Sequence, residues 1–400
     1  MKIELTSEQS TWQYEFRNFV DQEIVPRAAY NDKQEQIHPE IIHIMSAKGY
    51  LGSMIPKRYG GMELDNVTLG ILNEEMGRGC SSVRSLLTVQ GMVALGILRW
   101  ATESQKDYWL PKLASGEVLA SFGLTEPNVG SDAKSIETTA VLDGDEYVLN
   151  GQKKWITMGQ ISGMFLIFAK YDGKPTAFLV EKSNVGFDVI PMSGLLGARA
   201  SMIAEIRFNN CRIPKENLLG QVGMGLSHIA LPCLDYGRFT IACGSVGLAQ
   251  ACFEASAHYA NSRIQFGRPI RENQLIQKMI TEMTVNIKAA RLLCYKAGYL
   301  RDTGDPDSIM ETWSAKYFAS TMLNKIASDT VQIHGANGCH NDYPIERYYR
   351  DAKINEIIEG TTQMHEILIA TQEIITVRRA SRKAANLEKS KENISHDLSN

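Results

Sequence analysis

The chain predicts an α+β fold in three parts: an N-terminal helical domain, a middle β-barrel or sandwich, and a C-terminal four-helix bundle. Three observations carry this. Apolar residues recur at helical spacing through the first third. Between about residues 141 and 208 the pattern changes to short runs of β-branched and aromatic residues separated by turn signals. From about Gly223 the helical period returns and holds over long stretches. The expected boundaries are 1–119, 120–222 and 223–380. Segment 381–400 is a charged tail without aromatics, which its composition assigns to disorder.

Taken in order, Trp12, Phe16, Phe19, Val20 and Ile24 form one helical stripe, opened by a Thr6–Gln9 capping box. Asn31-Asp32-Lys33 reads as a polar break. Helices follow over 41–48, 68–78 and 86–100, with a turn at Lys57-Arg58-Tyr59-Gly60-Gly61. Strands are expected over 141–149, 164–170, 176–181, 187–192 and 203–208, with turns at Asp143-Gly144-Asp145 and Asp172-Gly173-Lys174. Long helices then cover 226–263, 274–302 and 308–334. The second carries Leu275, Met279, Met283, Ile287 and Ala290 along one face, and Asp305-Pro306-Asp307-Ser308 introduces the third. A last helix runs from Thr361 to about Arg379.

Composition narrows the function. Four hundred residues allow roughly two to four domains and a sizeable core. A net charge of −3 gives no electrostatic case for nucleic acid. No apolar run is read as approaching the roughly 18 residues of a membrane span, and the N-terminus has no signal or transit pattern, so the expected location is cytoplasmic. The seven cysteines are scattered without a Cys-x-x-Cys pair, and most read as buried small apolar residues in a reducing compartment. The histidines lack metal-ligand spacing, and no metal is expected; His334 and His340 flank a glycine-rich loop.

The most informative segment is 349–363. Glu359 follows two isoleucines and precedes Gly360, Thr361, Thr362 and Gln363. Apolar neighbours desolvate a carboxylate and raise its pKa, which suits a general base. Gly360 lets a backbone or ligand come close. The threonines and Gln363 could cap a helix or bind a cofactor; a plain helix start after a loop fits the same residues. Three further segments stand out: Phe122 to Asp132 (FGLTEPNVGSD) with Lys153-Lys154-Trp155-Ile156-Thr157 after it, Arg263 to Pro269 (RIQFGRP), and Gln332 to Gly338 (QIHGANG). Alone, these read as a strand exit, a core tryptophan and an ordinary turn.

In this order the set resembles the acyl-CoA dehydrogenase superfamily, from about Leu5 to about Thr376. The resemblance implies FAD. Residues 122–131 would run along the flavin ring, including Phe122, Gly130 and Ser131, with the Leu124 backbone and the Thr125 hydroxyl at its pyrimidine edge. Trp155 and Thr157 would cover the ring near N5. Arg263, Gln265, Phe266 and Gln274 match cofactor-holding positions, as do Thr361 and Gln363. Gln332 to Gly338, with Gly335 and Ala336, would reach the flavin of a neighbouring subunit, which implies a homodimer or homotetramer. The family usually has two glycines where this chain has Gly335-Ala336.

The reaction implied is removal of the proton α to a thioester carbonyl while the β hydride moves to flavin N5. Glu359 matches the common base position. Some relatives place the base on the long helix instead, where this chain has Gly237. The family often has an aromatic residue before the glutamate; here Ile358 stands there. Arg84, Ser131, Asp235, Arg238 and Gly360 match substrate-side positions. Segments 80–92, 234–238 and 350–360 are similar to the dehydrogenases of methoxymalonyl and hydroxymalonyl extender-unit biosynthesis in polyketide pathways. The Arg84 region is also similar to glutaryl-CoA dehydrogenase, where an arginine faces a substrate carboxylate; a surface salt bridge is the bland alternative.

The main expectation is therefore an FAD-dependent dehydrogenase of a small polar acyl thioester on an acyl carrier protein, of glyceryl to hydroxymalonyl type. The alternative is a catabolic short-chain or glutaryl-type acyl-CoA dehydrogenase. The acceptor would be an electron-transfer flavoprotein or oxygen, with no nucleic acid and no membrane involved. A third class, a noncatalytic flavoprotein binding nucleic acid, rests only on the short basic cluster Arg378-Arg379-Ala380-Ser381-Arg382-Lys383, which, followed by Glu388, Glu392 and Asp397, reads better as a solvated helix end.

Overall fold

The first helix starts where its cap requires. Thr6 accepts from the Gln9 backbone N–H, and the Gln9 side chain accepts from the Thr6 N–H. A computed structural model describes residues 4–397. Six helices lead: α1 (Ser7–Phe19), α2 (Val25–Gln34), α3 (Pro39–Ala47), α4 (Asn66–Gly79), α5 (Ser81–Trp100) and α6 (Glu103–Ser115). Asn31-Asp32-Lys33, expected as a break, stays inside α2. Asn31 is buried and its side-chain oxygen accepts from the His38 N–H at 3.0 Å. The chain turns later, at Glu35, whose φ is 54°.

α5 corrects a second expectation. By length and composition it would suffice to cross a bilayer, yet it lies in the protein interior. Arg84 interrupts the apolar run in sequence but is itself buried. Val83, Leu86 and Leu87 pack into the N-terminal core, while Met92, Val93 and Ile97 pack toward the sheet.

Eight strands form the middle unit: β1 (Ala120–Gly123), β2 (Thr139–Asp143), β3 (Glu146–Ile156), β4 (Met164–Tyr171), β5 (Lys174–Glu181), β6 (Phe187–Pro191), β7 (Ala204–Pro214) and β8 (Leu218–Leu219). The expected single strand over 141–149 is a hairpin, because Gly144 turns with φ 64° and β2 pairs antiparallel with β3. The order is β6-β7-β3-β2-β4-β5-β8, with β1 beside β4. β4 is apolar from Met164 to Ala169 because both its faces are covered there. Phe165 and Ile167 enter the β core with Phe178, Ile206 and Phe208, whereas Leu166 and Phe168 face the helices.

A π-helical turn at Gly225–Ala230 precedes α7 (Leu231–Ser262), so the expected start at Leu226 shifts. α8 (Gln274–Asp302) and α9 (Ser308–His334) complete a bundle core with α7, and α10 (Ile345–Ile357) and α11 (Thr362–Asp397) pack on α9. α11 continues beyond the expected end near Arg379. Its Ala, Glu, Lys and Leu content favours helix, so helix stands where disorder was expected; residues 398–400 lie outside the described residues. α10 is anchored from two sides. The Ala198 N–H donates to Asp351 at 2.6 Å and Arg350 pairs with Asp32 of α2 at 2.6 Å, while the Arg350–Glu346 pair lies within α10 itself.

Candidate active site

Glu359 occupies the sharp reversal between α10 and α11. Its φ is 56° and that of Gly360 is 96°. A left-handed glutamate costs roughly 1–2 kcal/mol, so surrounding contacts must hold it. Arg238 Nε donates to the Glu359 carbonyl at 3.1 Å. Lys316 Nζ donates to the Gly360 carbonyl at 2.8 Å and to that of Glu356 at 3.4 Å. Between these restraints the carboxylate is aimed at α7, where Gly237 leaves it room. A Cβ on Gly237 would stand 2.6 Å from Glu359 Cδ and Oε2. The residue is half-buried, but Oε2 is buried without a hydrogen-bond partner. Burial pushes the carboxyl up to about 7, against the pull of Arg238, Lys316 and Arg84. A base of that strength, free of hydrogen bonds, suits proton abstraction near neutral pH.

The same face of α7 receives Arg84 of α5. A Cβ on Gly244 would lie 2.1 Å from Arg84 Cδ. Arg84 is 2% exposed, so it is not the surface salt bridge that its sequence allowed. Its Nη1 donates to Thr88 at 2.8 Å, Thr88 and Thr240 share a hydrogen bond of 2.9 Å, and Thr240 donates to the Gly237 carbonyl at 2.8 Å. Nε has no partner, and no carboxylate lies within ion-pair distance among the described residues. Burial lowers its pKa to about 10, with the Glu359 charge opposing. Asp235 is committed elsewhere, in a short ion pair with Arg301 of α8.

The expected cofactor residues form a second group around the β3 edge. Trp155 sits at a β-bulge with φ 63° and 51% of its surface exposed, so it is not a core residue. The Lys154 N–H donates to the Thr125 carbonyl at 2.9 Å, joining the loop after β1 to this bulge, and Ser121 donates to the Thr157 carbonyl at 2.7 Å. A buried ion pair fixes the loop. Lys153 Nζ lies 2.6 Å from Glu126 Oε1 and 3.3 Å from the Leu124 carbonyl, and Glu126 also accepts from Thr138 N–H and Oγ1 and from the Glu137 N–H. Leu124 is buried, Thr125 and Thr157 are half-buried, and Gly130 and Ser131 are exposed. Phe122 packs on Phe168 at 5.0 Å and faces the core. Backbone groups and hydroxyls therefore surround an indole plane open to solvent, a donor set that fits a flat ring with a polar edge.

Apart from Thr361 and Gln363, which follow Gly360, the remaining cofactor positions lie at the far end of the bundle. Arg263, Gln265 and Phe266 belong to an exposed hairpin whose tip, Phe266, is 99% exposed with φ 51°. Gln274 opens α8, and Gln332 is exposed on α9. Gly335 (φ 58°, ψ −137°) takes a backbone that favours glycine. Ala336 stands in the 3-10 turn that follows, without a positive φ, so its methyl is accommodated. His334 is buried and stacks on Tyr259 at 4.3 Å. Arg263, Tyr259, His334 and Asn337 line a cavity of 440 Å³. Thr361 accepts from the Met364 N–H at 3.4 Å as a helix cap, and Gln363 is exposed. The structure thus brings Glu359, Gly360, Arg238 and Arg84 together, and ties Thr125 to the Trp155 bulge. Ser131 has no contact with the Glu359 group.

Sequence reasoning missed Lys316 and His365, both fully buried. The signal was present for Lys316. It falls on the buried stripe of α9 with Thr312, Ala315, Ala319 and Leu323, where a lysine is out of place.

Comparison with known proteins agrees with this geometry. Residues 6–117, 121–211 and 223–374 match the N-terminal, middle and C-terminal domains of acyl-CoA dehydrogenase. The chain is 38% identical over 393 residues to glutaryl-CoA dehydrogenase of Desulfococcus multivorans, covering 96% of this chain and 100% of that protein. It is 38% identical over 360 residues to the mitochondrial short-chain specific acyl-CoA dehydrogenase of Rattus norvegicus, covering 88% and 87%. The crystal structure of a glutaryl-CoA dehydrogenase from Mycobacterium smegmatis in complex with FADH2 superposes with a TM-score of 0.88 at 30% identity, covering 92% of this chain and 95% of that one. With the family models, the fold and the relatives in agreement, the chain belongs to the acyl-CoA dehydrogenase family, an FAD-dependent oxidoreductase acting on acyl thioesters.

Proposed function

We propose that this enzyme removes the α and β hydrogens of a short acyl-CoA whose far end carries a carboxylate, a glutaryl-type substrate. The observation that carries this is the lone guanidinium of Arg84, buried beside the Glu359 site with a free Nε. A buried charge without a partner is costly, and a substrate carboxylate would supply the partner through charge-assisted hydrogen bonds. Thr240, which hydrogen-bonds Thr88 next to Arg84, stands three residues along α7 from Gly237. Three residues rise about 4.5 Å, roughly the span of a short acyl chain.

Glu359 takes the α proton, ionised near neutral pH and unencumbered at Oε2. Arg238 holds the backbone that carries it. Trp155, Thr125, Thr157 and the 122–131 loop would hold FAD by its ring, and Arg263, Gln265, Phe266, Gln274, Gln332, Gly335, Ala336, Thr361 and Gln363 by its phosphates and adenosine, the 332–338 loop serving a second copy of the chain. FAD, when bound, supplies the acceptor for the hydride that leaves the β carbon. An electron-transfer flavoprotein is the external acceptor in this reading.

The relatives favour this catabolic reading over the carrier-protein, extender-unit reading expected from segments 80–92 and 234–238. One experiment separates them: anaerobic flavin bleaching with glutaryl-CoA, butyryl-CoA and a glyceryl-loaded carrier protein, using wild type, Glu359→Gln and Arg84→Met. Rapid bleaching by glutaryl-CoA that both substitutions abolish supports the proposal. Bleaching by the carrier substrate alone overturns it in favour of the extender-unit reading.

A further inference from the structure

We infer that Lys316 is a positioning residue for the base: it clamps the turn that carries Glu359 and sets a titratable positive charge beside its carboxylate. The inference rests on Glu359 being the base. Lys316 is fully buried on α9. Its ammonium reaches the carbonyls of Glu356 and Gly360, which lie on either side of Glu359 in the chain. Among the described residues it has no ion pair within 4 Å. A buried ammonium held only by carbonyls is an unusual arrangement, and the only acidic side chains whose field it feels appreciably are Glu359 and Glu356.

The other groups around Glu359 do not duplicate the two-sided clamp, although the Arg238 charge pulls more strongly on the carboxyl than Lys316 does and Arg84 adds to it. From α7, Arg238 bonds the Glu359 carbonyl, Asp235 is paired with Arg301, and the Cys233 thiol is kept protonated by burial. From α5, Arg84 is drawn toward Thr88. From α11, His365 stays neutral: burial, then the Lys316 charge, lower its pKa to about 4, and its Nδ1–H donates to the Thr361 carbonyl at 3.0 Å. Lys316 alone holds the turn on both sides of the base. Burial also lowers its pKa to about 8, so it loses its proton just above the range in which Glu359 ionises.

The test is the pH profile of anaerobic flavin reduction at saturating glutaryl-CoA, or butyryl-CoA if that is the reductant, for wild type, Lys316→Met and Lys316→Arg. Visible flavin and circular dichroism spectra report cofactor retention and fold. Wild type should show an acid limb from Glu359 and an alkaline limb from Lys316. Lys316→Met should shift the acid limb upward by about one pH unit, a tenfold loss of rate on that limb, and abolish the alkaline limb, with KM little changed. Lys316→Arg should restore the acid limb and carry no alkaline limb, because guanidinium does not titrate in this range. A uniform loss of rate with both limbs in place overturns the inference. So does an alkaline limb that persists in Lys316→Arg, which decides the matter even if Lys316→Met fails to fold. Glu359→Gln reduced at the wild-type rate would instead sink the base assignment itself.

Discussion

Gly237→Ala tests the geometry of the site most directly. The new Cβ would lie 2.6 Å from Glu359 Cδ and Oε2, whereas ordinary contact begins near 3.4 Å, so the carboxylate must retreat by about 0.8 Å. Displacing a reacting group by about 1 Å costs on the order of 100-fold in rate. The helix itself should not suffer, since alanine is favoured over glycine in a helix interior by roughly 1 kcal/mol, which offsets part of an overpacking cost of about 1–3 kcal/mol. The expected result is a folded, yellow enzyme whose flavin is reduced 10- to 100-fold more slowly at saturating substrate (order of magnitude). Stopped-flow bleaching measures this, with thermal melting as the control. The double variant Gly237→Glu, Glu359→Gly should recover part of the rate, because it places a carboxylate on α7 in the space that Glu359 vacates. Reduction of Gly237→Ala at the wild-type rate would refute the assignment of that space to the base.

Three further outcomes follow from the same contacts. Arg84→Met should lower kcat/KM for glutaryl-CoA by about 2–4 kcal/mol, a factor on the order of 10², while sparing butyryl-CoA; equal losses on both would show that Arg84 serves packing alone. Because burial raises the Glu359 carboxyl to about 7, the folded state holds a proton that the unfolded chain releases. Stability from this group is present below the ordinary carboxylate range and is lost as pH rises through about 7. Glu359→Gln should therefore melt higher than wild type above pH 7, by at most on the order of 3 kcal/mol, and a melting difference independent of pH would contradict this. Lys153→Met strands a buried Glu126 carboxylate at a cost of about 3–5 kcal/mol. It should weaken FAD retention, measured by flavin fluorescence on dilution, with Glu126→Gln in the same chain restoring part of it; unchanged FAD affinity would show that the clamp does not position the cofactor loop.

Much of this was legible in the sequence because it is local. The capping box at Thr6, the apolar run of β4 and the long periods of α7 to α9 depend on neighbours a few residues away. Glu359 was legible because its desolvating isoleucines and its glycine are adjacent to it. What escaped depends on contacts across the fold. Lys316 stands out as a lysine on the apolar stripe of α9, but what it holds cannot be read until α10 and α11 are laid over it, and Lys153 finds Glu126 only when β3 returns past the loop after β1. Trp155 could not be seen as exposed, because nothing in a tryptophan among strand residues announces a bulge with a left-handed backbone. The short β1 and β8 carry too few residues for a period, and Arg84 masked α5 as an apolar helix by breaking its run. The final helix was cut short because its charged residues, read as a solvated tail, are also good helix formers.

The missing side chains of α7 have a wider consequence. Gly237 and Gly244, which admit Glu359 and Arg84, are continued by Gly247, where a Cβ would stand 1.8 Å from the Glu74 carbonyl, and Gly244 itself meets Gly77 of α4 closely enough that a Cβ there would lie 2.3 Å from its carbonyl. The room left for Glu359 and Arg84 and the spacing between α4 and α7 are therefore set by the same bare strip of helix. A single methyl at Gly77 or Gly247 would have to wedge α4 away from α7. The setting of Arg84 against Glu359 can thus be disturbed from the seam between these two helices as well as at the two residues themselves.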